Sequence, residues 1–153
     1  MNEAFKDYDI STPKFSLDGY KSHCRIVDII DGDTLIVVLP LFGTYYKFNV
    51  RLNGIDTSEL KSKDKAAYKA RERVFEIICK NKCEENTRKY IQNYFKTNVI
   101  VCWIECSKFD KYGRLLGNIS IENKYVSVIL LEENLAKPYD GGTKINWAVD
   151  NSQ

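Results

Sequence analysis

The alternation of apolar and polar positions divides the chain into strand-like ends and a helical middle. Cys24 to Ile30 and Thr34 to Leu39 are runs of β-branched and apolar residues flanking Asp31-Gly32-Asp33. Asp-Gly between two such runs signals a hairpin, because the pair suits a turn with positive φ. Pro40 to Thr44 makes a second turn, and Tyr45 to about Leu52 supplies a third strand. The period then changes. Ala67, Ala70, Val74, Ile77 and Ile78 recur at helical spacing and mark one face. The stretch around Cys83 interrupts it, and a second helix over about Glu84 to Thr97 groups Thr87, Ile91, Tyr94 and Phe95. Strand character returns at Val99 to Ser107 and again after Gly113, followed by a short helix from Tyr125 to about Asn134.

This order predicts an α+β chain, mainly β. Its five strands are expected to form an antiparallel sheet closed into an OB-like barrel, with about three helices packed beside it. Barrels of this kind often bind nucleic acid across one face. The expected domain runs over 23–140, after a polar lead-in at 1–22 and before a turn-rich tail at 141–153.

Length and composition narrow the class. At 153 residues and 44% hydrophobic content, the chain can bury a core without staples. No apolar run reaches membrane-spanning length, and the N-terminus lacks a basic start followed by an apolar core. A cytoplasmic, membrane-free monomer is the expectation. Five cysteines are an odd number, which suits reduced thiols in such a compartment. Cys79/Cys83 and Cys102/Cys106 share a C-x3-C spacing. A zinc site is conceivable from it, but residues four apart share a face in helix and strand alike, so small buried apolar residues are the simpler reading.

The formal net charge of +2 hides a local excess. Residues 61–82 hold eight Lys/Arg and three Asp/Glu, or +5, which leaves the rest of the chain at −3. A basic segment on a slightly acidic body points to a polyanion, and otherwise to a solvated helix face. Lys69, Arg71 and Arg73 are expected to point to solvent, opposite Ala67, Ala70 and Val74.

Three segments carry charges at the ends of apolar strands: Asp-Gly-Asp-Thr at 31–34, Arg51 followed by Asp56-Thr57 and Glu59, and Asp-Lys-Tyr-Gly-Arg at 110–114. Charges in such places need partners, whether each other or a cation and a phosphate. In type, spacing and order these motifs resemble the staphylococcal nuclease-like domains, over about Cys24 to Tyr139. The resemblance implies a metal-dependent endonuclease acting on DNA and/or RNA with low sequence specificity. It implies one Ca²⁺ per site, held by Asp33, Asp56 and the Thr57 carbonyl. Arg51 and Arg114 would grip the scissile phosphate, and Glu59 would orient or deprotonate the attacking water. Lys111 and Tyr112 would contact a neighbouring phosphate, and Tyr139 would stack on a base. Lys61, Lys63 and Lys65 follow Glu59 closely, so the basic segment is expected to lie near the site and to track the nucleic-acid backbone. The chemistry suits the residue types: hard cations take oxygen ligands, and the arginine fork pairs two phosphate oxygens. Asp31 is expected to form the turn and support Asp33.

The chain departs from the family in four places. Ser58 stands where proline is usual, the segment after Glu59 is longer, residues 141–153 do not read as the expected long helix, and the two-tyrosine stacking element is only partly present. A non-catalytic nucleic-acid-binding barrel is the first rival, and a protein-interaction domain using the basic helix is the second. His23, the sole histidine, has no partner at motif spacing and is given no role.

Overall fold

The computed structural model describes residues 2–60 and 64–139. Their elements, in chain order, are helix α1 (Asn2–Phe5) and strands β1 (Lys21–Asp31), β2 (Thr34–Leu41), β3 (Thr44–Leu52) and β4 (Ile55–Asp56). Helices α2 (Lys65–Cys79) and α3 (Arg88–Thr97) come next, then β5 (Val101–Phe109), β6 (Leu115–Ile121), β7 (Lys124–Tyr125), α4 (Val126–Glu132) and β8 (Lys137–Pro138).

Five strands close into a barrel in the order β3-β2-β1-β5-β6, with β7 added beyond β6. The closure differs from the all-antiparallel expectation. β6 pairs with β3 in parallel, Val50 opposite Leu115 and Arg51 opposite Leu116. The two helices between β4 and β5 carry the chain across, so β6 returns beside β3 in the same direction. Small elements went unforeseen: α1, the extra strand β7, and the two-residue pair β4–β8.

Alternation fills the barrel. Leu35, Val37 and Leu39 of β2 are fully buried, facing Ile26 and Ile29 of β1, Val50 and Leu52 of β3, and Ile104, Leu115 and Ile119. Leu17 joins this core, and Tyr20 Oη donates to the Pro40 carbonyl at 2.6 Å. The packed unit therefore extends into the stretch read as lead-in, and β1 itself starts at Lys21. The tail at 141–153 lies outside the described residues.

Two register shifts in β1, after Ile26 and after Ile29, decide which of its residues face outward. Each inserts an extra residue against β2 and re-aims the strand. Arg25, Asp28 and Asp31 thereby pair with Val38, Ile36 and Thr34, the outward positions of β2. Without the bulges Asp28 would point into the apolar core.

The helices start and stop on recognisable signals. Asp64 caps α2 by accepting from Ala67 N at 2.8 Å, and Lys80 ends it in a left-handed conformation at φ 53°. Thr87 caps α3 by accepting from Tyr90 N. It lies outside the helix, not on its buried face as the periodicity suggested, because a threonine oxygen satisfies an orphan N–H best at the N-cap. Four of the cysteines are buried, and all five pack in or against the core. Cys79 is the last residue of α2, so Cys79 and Cys83 do not share a helix face.

Candidate active site

The β1–β2 turn shows what its two acids do. Asp33 Oδ2 accepts from Thr57 N at 3.0 Å, and Asp31 Oδ1 accepts from Leu60 N at 3.0 Å. Both carboxylates therefore hold the backbone of the loop that comes after β4. Asp33 Oδ1 also accepts from Thr34 Oγ1 at 2.9 Å. Gly32 does not take the positive φ expected of it. It is glycine because the turn is crowded: a Cβ there would lie 2.6 Å from Ala70 Cβ and 3.1 Å from Thr57 Cγ2. Helix α2 and the Thr57 loop thus press directly onto the turn.

Arg51 sits opposite Thr34, at the end of β3, and is 7% exposed. Its Nη1 donates to the carbonyls of Leu52 at 3.0 Å and Ile55 at 2.7 Å. Its Nη2 lies 3.3 Å from Asp56 Oδ1 and 3.5 Å from Asp33 Oδ2. One guanidinium therefore spans two carboxylates, and none of these contacts uses Nε. The Tyr139 ring lies against the same guanidinium, 5.5 Å from ring centre to Cζ. Strand β8 brings it there, pairing Ile55 with Pro138 and Asp56 with Lys137. Lys137 was not a sequence candidate, since nothing in the pattern marks a two-residue strand. Glu59 lies half-buried in the loop between Thr57 and Leu60.

The second charged segment is built differently. Asp110 Oδ1 accepts from the backbone of Tyr112 at 2.8 Å and of Arg114 at 2.9 Å, while Oδ2 takes Arg114 Nε at 2.8 Å. Gly113, at φ +85°, closes the turn. Burial raises the Asp110 pKa, but the N–H groups of Arg114 and Tyr112 and the guanidinium outweigh it, and the carboxyl is held below its ordinary value. Tyr112 is 72% exposed, with Lys111 Nζ 5.2 Å and Arg114 Cζ 5.5 Å from its ring centre. The parallel β3–β6 pairing puts Arg114 just ahead of the residues opposite Val50 and Arg51, at the same barrel end. Its side chain is held there by Asp110 of its own turn.

The basic segment is less free than its composition suggested. Lys61 and Lys63 lie outside the described residues. Arg71 is buried, donating Nε to Asn86 Oδ1 and Nη2 to the Asn86 carbonyl, both at 2.8 Å. It lies four residues after Ala67, on the inner stripe with Ala70 and Val74, so the expectation that it faces solvent was wrong. Arg73 pairs with Glu133 at 2.7 Å. Lys69 is exposed, as its position predicted.

The donors at the turn fit a hard cation. Two carboxylates, Asp33 and Asp56, share one guanidinium. Beside them the Thr57 and Ser58 hydroxyl oxygens are buried with no hydrogen-bond partner among the described residues. An oxygen-only set of this kind suits Ca²⁺. Among the described residues no three Asp, Glu, His or Cys side chains cluster as ligands, and the implied set needs only two, with a backbone carbonyl. Burial pushes the thiols of Cys24, Cys79 and Cys102 up to about 12, so in the packed core they are neutral, as small apolar residues are.

An OB-like barrel thus carries an acidic turn and two arginines at one end. The sequence profile of the staphylococcal nuclease homologues matches residues 49–147, and the chain belongs to that family. The match takes in Arg51, Asp56, Thr57, Glu59 and Arg114, and begins after Asp33. A search of curated proteins found no match. Among the described residues no helix is long and apolar enough to cross a membrane.

Proposed function

We propose that the protein is a Ca²⁺-dependent endonuclease that hydrolyses phosphodiester bonds of DNA and/or RNA with low sequence specificity. The observation that carries this reading is the Arg51 guanidinium held between Asp33 and Asp56, beside the backbone of Thr57. A cation held by Asp33, Asp56 and the Thr57 carbonyl would supply positive charge against the crowded phosphoryl group and acidify a bound water. Arg51 is fixed by two carbonyls, so its remaining N–H groups are aimed in advance and need no reorganisation. Arg114, on its exposed turn, exchanges Asp110 for a phosphoryl oxygen. Glu59 orients the attacking water or takes its proton. The water oxygen bonds to phosphorus, the bond to the 5′ oxygen breaks, and a proton passes to that oxygen. The products carry 3′-phosphate and 5′-hydroxyl ends. Lys111, Tyr112 and Tyr139 hold the flanking strand.

One observation favours a non-catalytic nucleic-acid-binding barrel instead. Both Nη groups of Arg51 are already engaged by the protein's own carbonyls and acids. A plasmid-nicking assay separates the two readings. Nicking with Ca²⁺ and none with excess chelator supports the enzyme. Undiminished nicking in chelator rules out the metal, and binding without nicking in any divalent cation leaves only the module.

A further inference from the structure

Away from that site, a groove of about 570 Å³ runs between α3 and the outer face of β1–β2–β3. Its floor is apolar, formed by Val27, Ile36 and Val38, and its rim carries Arg25, Lys47 and Lys96. The one acid in its lining, Asp28, is buried and already engaged by Arg88 and Gln92. Arg88, Gln92 and Lys96 recur every four residues along α3, so one stripe of the helix faces the strands. The first two residues neutralise Asp28, and the third is left over. Among the described residues Arg25, Lys47 and Lys96 form no ion pair, and the Arg25 Nε is buried without an acceptor. Three uncompensated cations over an apolar floor match a phosphodiester chain: phosphates on the rim, sugars and bases on the floor.

The register ties this groove to the catalytic end. Arg25, Val38 and Lys47 stand in one row across the three strands, and Thr34 and Arg51 stand in another, on the same outward face. Lys47 is four residues from Arg51 along β3, about 13 Å at ~3.3 Å per residue. Two residues further on, Tyr45 is 71% exposed and lines an adjoining groove with Arg25 and Val38. Arg51, Lys47 and Tyr45 therefore form a line that a single strand can follow, with an aromatic face at its end for a base.

We propose that this face binds a single strand of nucleic acid beyond the cleavage point, its phosphates against Lys47, Lys96 and Arg25 and a base on Tyr45. The direction of the strand rests on the nuclease reading of the Arg51 end. The groove itself needs only the polyanion.

The test uses the full chain with Lys47→Ala and Lys96→Ala combined, since both residues are exposed and form no ion pair among the described residues. Arg25 stays, because its Nη2 holds the Phe95 carbonyl in the last turn of α3. A labelled dodecamer and a labelled trinucleotide are bound in chelator and followed by anisotropy over a range of salt, then cleaved with Ca²⁺. Dodecamer binding should weaken several-fold, with the slope of log K against log salt reduced by about 1.4, at ~0.7 per neutralised phosphate. The dodecamer KM should rise while kcat and both trinucleotide measurements stay at the parent's values. Tyr45→Ala should weaken dodecamer binding without changing the salt slope. Parent-like affinity and slope for the dodecamer would overturn the proposal, as would equal losses on both lengths. If the parent binds both probes but cleaves neither, the nuclease reading fails and the groove is still judged by anisotropy.

Discussion

The two arginine sites at one end of the barrel are built on opposite principles. Arg51 is buried, and its bonds run to two carbonyls and two carboxylates drawn from β3, β4 and the turn before β2. Arg114 is about one-third exposed, and its bonds stay within its own turn. The first holds separate parts of the molecule together. The second is self-contained, since its bonds to Asp110 reach no other element. The proposed nuclease uses both kinds of group: one that fixes geometry before substrate arrives, and one that closes on it.

Removing each arginine should separate these roles, and the largest effect belongs to Arg51. Arg51→Ala leaves Asp33 and Asp56 close together and without their common cation. Breaking a buried pair in this way costs about 3–5 kcal/mol, so both folding stability and activity should collapse. Saturating Ca²⁺ should restore a large part of the lost stability, because a cation between the two acids substitutes for the guanidinium. Thermal unfolding with and without Ca²⁺ measures this. A variant as stable as the parent in chelator would show that the two acids do not depend on Arg51.

Arg114→Ala should leave stability almost untouched, within the ~1 kcal/mol of an exposed ion pair. Its kcat should fall about 10²–10³-fold, the usual consequence of losing one donor to the developing charge. Arg114→Lys should be nearly as damaging, since lysine keeps the charge and loses the fork. Steady-state cleavage beside a melting curve reads both. If Arg114→Ala destabilises the protein as much as Arg51→Ala, the contrast between a fixed and a releasable arginine is false.

The contrast also shows why some of the molecule was legible in the sequence. The hairpin, the barrel strands and the helix stripe come from local period, and local period is what a sequence displays. The three charged motifs stood out because charge at the end of an apolar strand is unusual. What escaped was decided by contacts between distant segments. Gly32 was read as a turn glycine, yet it is demanded by Ala70 of a helix far along the chain. Arg71 was read as solvated because it was placed opposite Ala67, Ala70 and Val74, yet it lies on their stripe of α2, where Asn86 offers two acceptors. The bulges in β1 insert residues no different in type from their neighbours, so Asp28 could not be assigned to a face. The parallel closure onto β3, and the β4–β8 pair that brings Tyr139 to Arg51, are likewise set by how far the intervening helices carry the chain.

The smallest expected effect sharpens the comparison from the acid side. Asp110 has its pKa lowered from 3.8, so its charged form is preferred in the folded turn. The sign comes from linkage: this stabilisation is fully present above 3.8, the unfolded value, and is lost as pH falls through the lower folded value. Below that point the carboxyl no longer accepts as strongly from Tyr112 N, Arg114 N and Arg114 Nε. The Asp110–Arg114 turn should then loosen while the barrel stays intact, because its bonds reach no other element. Amide exchange or chemical shifts of Tyr112 and Arg114, tracked through the acid range beside barrel amides such as Val37, report this directly. Asp110→Asn keeps an acceptor oxygen but cannot titrate, so its turn should be insensitive to pH over that window. If the barrel amides and the turn amides lose protection together in the parent, the turn is coupled to the barrel, and Arg114 is not the independent arm that its bonding describes.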